Sequence, residues 1–260
     1  YMTETIDFTK SKQYTLSIRL STDGFSFSVL NPLEDSSSML TDYEVDESLS
    51  LTANLKQAFR KVEWLSLPYR RVNLLMAGKR FTFIPLEYFE DEQADIIFYH
   101  NFSQQENETV LYNILHKDNI VVLFGMDKSA FNYLHEQYPE AHFYAQAGPF
   151  IEYFSAKSRL GNNRKMYVNL RKRAADVYAF ERGRLLLANS FPCQAASDSI
   201  YYMLYIWKQL GFDQERDELH LTGQLDDKNR LLPELRKYIR QVFITTPAHH
   251  LDLQAITLCE

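Results

Sequence analysis

The sequence predicts an α/β protein of two similar lobes, and three observations carry that expectation. Strand-like alternation of apolar and polar residues opens the chain, the same order of elements begins again near residue 161, and amphipathic helices lie between the strands. A length of 260 residues, at roughly 150 per domain, fits one large domain or two smaller ones. Hydrophobic residues at 45% and charged residues at 24% are globular proportions, which excludes a disordered chain.

Tyr14 to Ser21 alternates with period two, the mark of a half-buried strand. Thr22, Asp23 and Gly24 follow as a turn in which glycine takes positive φ without a Cβ clash, and Phe25 to Val29 alternates again. Together they predict a hairpin. Leu51, Leu55, Ala58, Val62 and Leu65 recur at three- and four-residue steps, so a helix covers this stretch until Pro68 ends it. Residues 72–77 and 81–84 read as strands, the acid-rich 87–95 and polar 103–108 as irregular, and the apolar 119–124 as a buried strand. Helices are expected over 128–138, stopped by Pro139, and over 149–156.

Gly161, Asn162 and Asn163 read as a linker between a first lobe, 1–160, and a second, 161–260; the first carries an insertion at about 87–145. Beyond the linker, 166–171 and 176–180 predict a second strand pair, and 184–188 a third strand. A helix over 197–210 has Ser197 or Asp198 as its N-cap and Gly211 as its terminator. Residues 218–222 read as a strand, 231–239 as a helix and 241–245 as a last strand. Sliding the chain by 150 residues lays Ile18, Leu20, Phe27 and Leu30 on Val168, Leu170, Val177 and Phe180, a repeat of pattern more than of identity.

Composition excludes several classes. Two cysteines cannot build a disulfide framework or a four-thiolate metal site. No window approaches 18 apolar residues, and Tyr1 to Glu4 lacks the basic start and apolar run of a signal peptide, so a cytoplasmic protein with no membrane span is expected. Eight glycines include no G-x-G pair and no G-x-x-x-x-G-K-[ST], so Rossmann and P-loop sites lack their glycines.

Two lobes that each open with a hairpin and continue through a helix to an apolar strand resemble the actin-like ATPase (ribonuclease-H-like) fold. The order is similar to its bacterial assembly branch, which holds the cell-division actin homologue and the pilus and type II secretion platform proteins. The segment from Asp217 to Arg236, with Thr222-Gly223 after the strand and Leu231-Leu-Pro-Glu-Leu235 following, resembles the adenosine loop of those proteins. As a whole the chain resembles a bacterial family of unknown function with this fold, a duplicated mixed sheet flanked by helices. Active members carry an aspartate and, two residues on, a glycine at the first strand of each lobe, where the carboxylates organise Mg²⁺ and water and the glycine admits phosphate to the backbone. Here those positions are Arg19 and Ser21, then Asn169 and Arg171, and the glycine pair of the adenosine loop is Gly223-Gln224. The resemblance therefore implies a degenerate cleft at Arg19, Ser21, Asn169, Arg171, Thr222 and Gly223, with no catalytic residue and no required cofactor.

The remaining candidates are weaker. His249, His250, Asp252 and Cys259 match no zinc spacing, nor do His135 and His142. Cys193 follows Pro192 with no histidine nearby, and Tyr201, Tyr202, Tyr205 and Trp207 recur at helical spacing as core or interface. Lys157, Arg159, Arg164, Lys165, Arg171, Lys172 and Arg173 form a basic tract without an acid, a candidate patch for an anionic partner or else a solvated linker. The function expected is a non-catalytic scaffold or regulator that binds another macromolecule, a protein first. The alternatives are an ATP-binding ATPase or phosphotransferase with a non-standard site for ATP or a phosphate anion, and a nucleic-acid-binding module using 157–173, which the net charge of −6 opposes.

Overall fold

The computed structural model describes residues 6–33, 38–245 and 250–256. They fall into two compact units: the first holds the residues up to Asn113 together with Val121–Gln146, the second Ile114–Ile120 and the residues from Ala147 on.

In the first unit β1 (Thr15–Ser21) and β2 (Gly24–Leu30) form the expected hairpin, and β3 (Ser38–Tyr43) extends it. The helix α1 (Leu51–Lys61) starts at Ser50, whose side chain accepts from Ala53 N–H, and buries Leu55, Ala58 and Phe59. Next come β4 (Arg71–Met76), β5 (Phe81–Pro85), α2 (Ala94–Asn101), β6 (Glu108–Leu115), β7 (Ile120–Asp127), α3 (Lys128–Gln137) and β8 (His142–Ala145). The main sheet runs β3-β2-β1-β4-β8, and β5-β7-β6 make a separate three-stranded sheet. At the outer margin of β8 the Asn113 side chain stands in for a strand. Its Nδ2 donates to Phe143 O at 2.7 Å and its Oδ1 accepts from Ala145 N–H at 2.9 Å.

The second unit opens with α4 (Ala147–Ser158), then β9 (Lys165–Arg171), β10 (Ala174–Glu181), β11 (Arg184–Pro192), α5 (Ala196–Gln209), β12 (Glu218–Gly223), α6 (Lys228–Leu235), β13 (Gln241–Ile244) and α7 (Leu251–Ala255). Its sheet order, β11-β10-β9-β12-β13, repeats that of the first, and so does the register. Arg19 faces Ser26 across β1 and β2 as Asn169 faces Asp176 across β9 and β10, a shift of 150 residues on both strands. The even positions of β9, Met166, Val168 and Leu170, pack with Met203, Ile206 and Leu235. Tyr167 meets Phe154 of α4, rings stacked at 4.3 Å.

The chain divides after Gln146, not at Gly161. The cause is α4, which packs on β10, β11 and α7, so Gly161 (φ +84) only turns the chain from α4 into β9. The expected insertion, 87–145, becomes Phe81–Asp127, because α3 and β8 take the places that α6 and β13 hold in the second unit. The first helix ends at Lys61, and Leu65 is buried from a 3-10 turn beyond it. The helix expected over 231–239 spans Lys228–Leu235. α5 begins at Ala196, and the Asp198 carboxylate accepts from Gln194 and Ala195 N–H from inside the first turn.

Candidate functional site

Equivalent strands bring the candidate residues to equivalent places, where they meet different partners. On β1 the Arg19 Nη2 donates to Ser26 Oγ at 2.5 Å, and that hydroxyl donates to Asp42 on β3 at 2.5 Å. The Ser21 hydroxyl donates to Asp23 in the turn.

On β9 the counterpart is a buried ion pair. Arg171 grips Asp176 with Nε on Oδ2 and Nη2 on Oδ1, both at 2.9 Å, while Asn169 Nδ2 donates to Oδ2 at 3.0 Å. The Arg171 Nη2 also reaches Ser190 Oγ at 3.1 Å. The side chains of Arg171 and Asp176 are 12% and 3% exposed, so the carboxylate is enclosed by its donors. From sequence Asp176 is only the start of a strand, not a site residue. Its trace was a lone charge inside the apolar alternation of 174–180, five residues after an arginine.

Beside it, Thr222 and Gly223 of β12 lie against Asn169 and Leu170 of β9. Gly223 takes φ +86, and a Cβ there would stand 2.6 Å from Asn169 Oδ1 and 2.8 Å from Leu170 N. The neighbouring Gln224 N–H donates to Leu170 O at 2.7 Å. The glycine is thus required by the close approach of two strands, whether or not a ligand is bound. A cavity of about 210 Å³ adjoins this end of the sheet, lined among others by Arg171, Lys172, Cys193, Ser199, Gln224 and Asp226. Burial pushes the Cys193 thiol up from its ordinary value, opposite to the shift of an activated nucleophile.

The basic tract does not form one open cationic face. Arg159 pairs with Asp118 at 3.4 Å, Arg164 with Asp217 at 3.2 Å, Lys165 with Glu218 at 3.5 Å and Arg171 with Asp176. Lys157 lies over the Tyr153 ring at 5.5 Å, and Lys172 and Arg173 form the β9–β10 turn, exposed as Lys157 and Arg159 are. A run without acids in sequence is here answered by acids from other segments. Of the histidines, His135 stacks on Phe131 within α3 and His142 lies on β8. His249 and Cys259 fall outside the described residues, among which no group of three or more His, Cys, Asp or Glu is placed to hold a metal. Nor is any helix among them long and apolar enough to cross a membrane.

Two five-stranded mixed sheets of the same order, each opening with a hairpin and flanked by helices, define an actin-like ATPase fold. The chain belongs to DUF3822, a family of proteins of unknown function, whose model matches residues 3–242. A crystal structure from Bacteroides thetaiotaomicron, of a protein with actin-like ATPase fold and unknown function, is 62% identical, with a TM-score of 0.94 over 99% of this chain and 100% of that one. A chain of the PilM–PilN type IV pilus biogenesis complex has the same fold at 9% identity, TM-score 0.55, over 93% and 89% of the two chains. The ethanolamine utilization protein EutJ from Carboxydothermus hydrogenoformans has it at 11% identity, TM-score 0.53, over 94% and 89%. No curated protein matches the sequence.

Proposed function

We infer that the chain acts by binding another protein and not by turning over a nucleotide. One observation carries this reading: the buried carboxylate on the second hairpin, Asp176, is held by three hydrogen bonds from Arg171 and Asn169. A magnesium–phosphate site needs carboxylates with oxygens to spare and glycines where phosphate meets the backbone. Arg19 and Asn169 are not carboxylates, Ser21 and Arg171 are not glycines, and Gly223 is accounted for by packing. A metal-free phosphate is disfavoured as well, because the Arg171 guanidinium is already spent on Asp176. The PilM–PilN complex offers a parallel in which this fold works through a protein partner.

Calorimetry with ATP and Mg²⁺, beside a phosphate-release assay, tests the reading. The expected result is no saturable Mg²⁺-dependent heat and no release above buffer. Micromolar affinity that requires Mg²⁺, with turnover lost in Asn169→Ala, would overturn it.

A further inference from the structure

The chain passes between the two units three times: after Asn113, after Ile120 and after Gln146. The first two passages lie in one hairpin. β6 and β7 lie with β5 in the separate three-stranded sheet, yet the residues that join them, Ile114–Ile120, belong to the second unit. Asn113 fixes the hairpin to β8 of the first unit, and five residues later Asp118 fixes its turn to α4 of the second. The turn is tight, with Asp118 N–H donating to Leu115 O at 3.2 Å and Asn119 at φ +54.

Turn residues are ordinarily solvated, and an aspartate is seldom enclosed unless it is paired. The Asp118 side chain is 5% exposed. Its Oδ1 accepts from Ser155 Oγ and lies 3.4 Å from Arg159 Nη2, which also reaches Ser155 Oγ at 3.4 Å. Leu115 of the same turn is buried. The seat is anchored in turn: Ser155 Oγ is 3.1 Å from Gly183 O, and Ser158 Oγ accepts from Gly183 N–H at 2.9 Å. It is a poor seat for an anion, however. Ser155 and Arg159 stand at the C-terminal end of α4, where the helix dipole is negative. The Arg159 side chain is 56% exposed, so solvent screens the ion pair. A buried carboxylate held by one hydroxyl and one screened cation, against a helix dipole, is a contact that can open.

We propose that this turn is a latch. Seated, Asp118 makes the β6–β7 hairpin a strap that ties the inserted segment to the second unit. Released, residues 114–120 leave α4 while the sheets on either side stay folded. Nothing in those sheets depends on the contact. Asp118, Ser155 and Arg159 lie outside the two large apolar clusters, and β5, β6 and β7 keep a core of their own around Phe98, Val121 and Leu123. A merely structural ion pair would loosen its surroundings when cut, whereas a latch frees one turn and uncouples the two units.

Trypsin cleavage of the full chain tests this, with the cut after Lys117 in the latch turn compared by mass spectrometry with cuts after Lys172 and Arg173 in the β9–β10 turn. Asp118→Ala is expected to speed the cut after Lys117 about tenfold or more, and to leave the β9–β10 turn within about twofold. Ser155→Ala should act in the same direction. If Asp118→Ala fails to fold, Arg159→Ala, at an exposed side chain, should still raise the Lys117 rate at least about threefold. The chain has two tryptophans, Trp64 in the first unit and Trp207 in the second, so Trp207→Phe and Trp64→Phe chains report on one unit each. With Asp118 in place, urea unfolding of both should show the denaturant slope of the whole protein. Adding Asp118→Ala should cut that slope to about half, the value for one unit unfolding alone. Equal acceleration at both turns, or none after Lys117, would overturn the latch, and an undiminished slope would overturn the strap.

Discussion

Asp176 shows how much a single residue can decide. A carboxylate only 3% exposed takes three donors from Arg171 and Asn169, and the Arg171 side chain beside it is 12% exposed. Removing one partner leaves the other charged and enclosed, so Arg171→Ala or Asp176→Ala should each cost about 3–5 kcal/mol in chemical denaturation. The double variant should cost less than the two losses added, with a coupling of about 2–3 kcal/mol; additivity would mean that the pair is not buried as described. His220 carries a second residue-scale expectation. It is stacked between Tyr167 at 4.9 Å and Phe243 at 5.1 Å, with Glu218 Oε2 at 2.8 Å and Lys165 beyond. Burial lowers its pKa from the ordinary 6.5, outweighing the hydrogen bond to Glu218. The unfolded chain then takes up the proton first, so stability present above pH 6.5 is lost as pH falls through the depressed folded value. Melting curves across that window should flatten in His220→Gln, and an unchanged slope would show the imidazole free to titrate.

Elements were legible where one periodicity dominated. The β1–β2 and β9–β10 hairpins could be read because one face of β1 and of β9 is apolar throughout and the turns hold two residues, although both faces of β9 and β10 are buried. The strand β3 was not legible, since Ser38, Leu40, Thr41 and Asp42 are all exposed and no face sets an alternation. Nor was β6, whose first six residues are all half-buried, or α2, whose acid-rich approach reads as loop. The short α7 carries too few residues for a helical period. At the meeting of β12 with β9 the element itself sets a test. Gly223→Ala must adopt φ +86 and intrude on Leu170 N and Asn169 Oδ1, so a loss of about 2 kcal/mol or more is expected. Gly78→Ala, with nothing within 4 Å of the added carbon, should change stability by no more than about 0.5 kcal/mol. Equal effects in urea denaturation would show that the strands do not approach as described.

At the scale of the molecule, the repeated order of elements could be read from sequence because both sheets follow one plan with one register shift. The boundaries could not. A helix between two sheets gives no local sign of which one it will cover, and the strands of an inserted module alternate as core strands do. The site was legible only by the residues it lacks, since the ion pair that replaces them is made across strands. The inserted segment Phe81–Asp127 supplies Asn113 to the margin of β8. An open strand edge is a template on which other copies can grow, and here one amide terminates it. At this margin the first sheet is closed by a side chain from outside it, in a segment the repeated architecture does without.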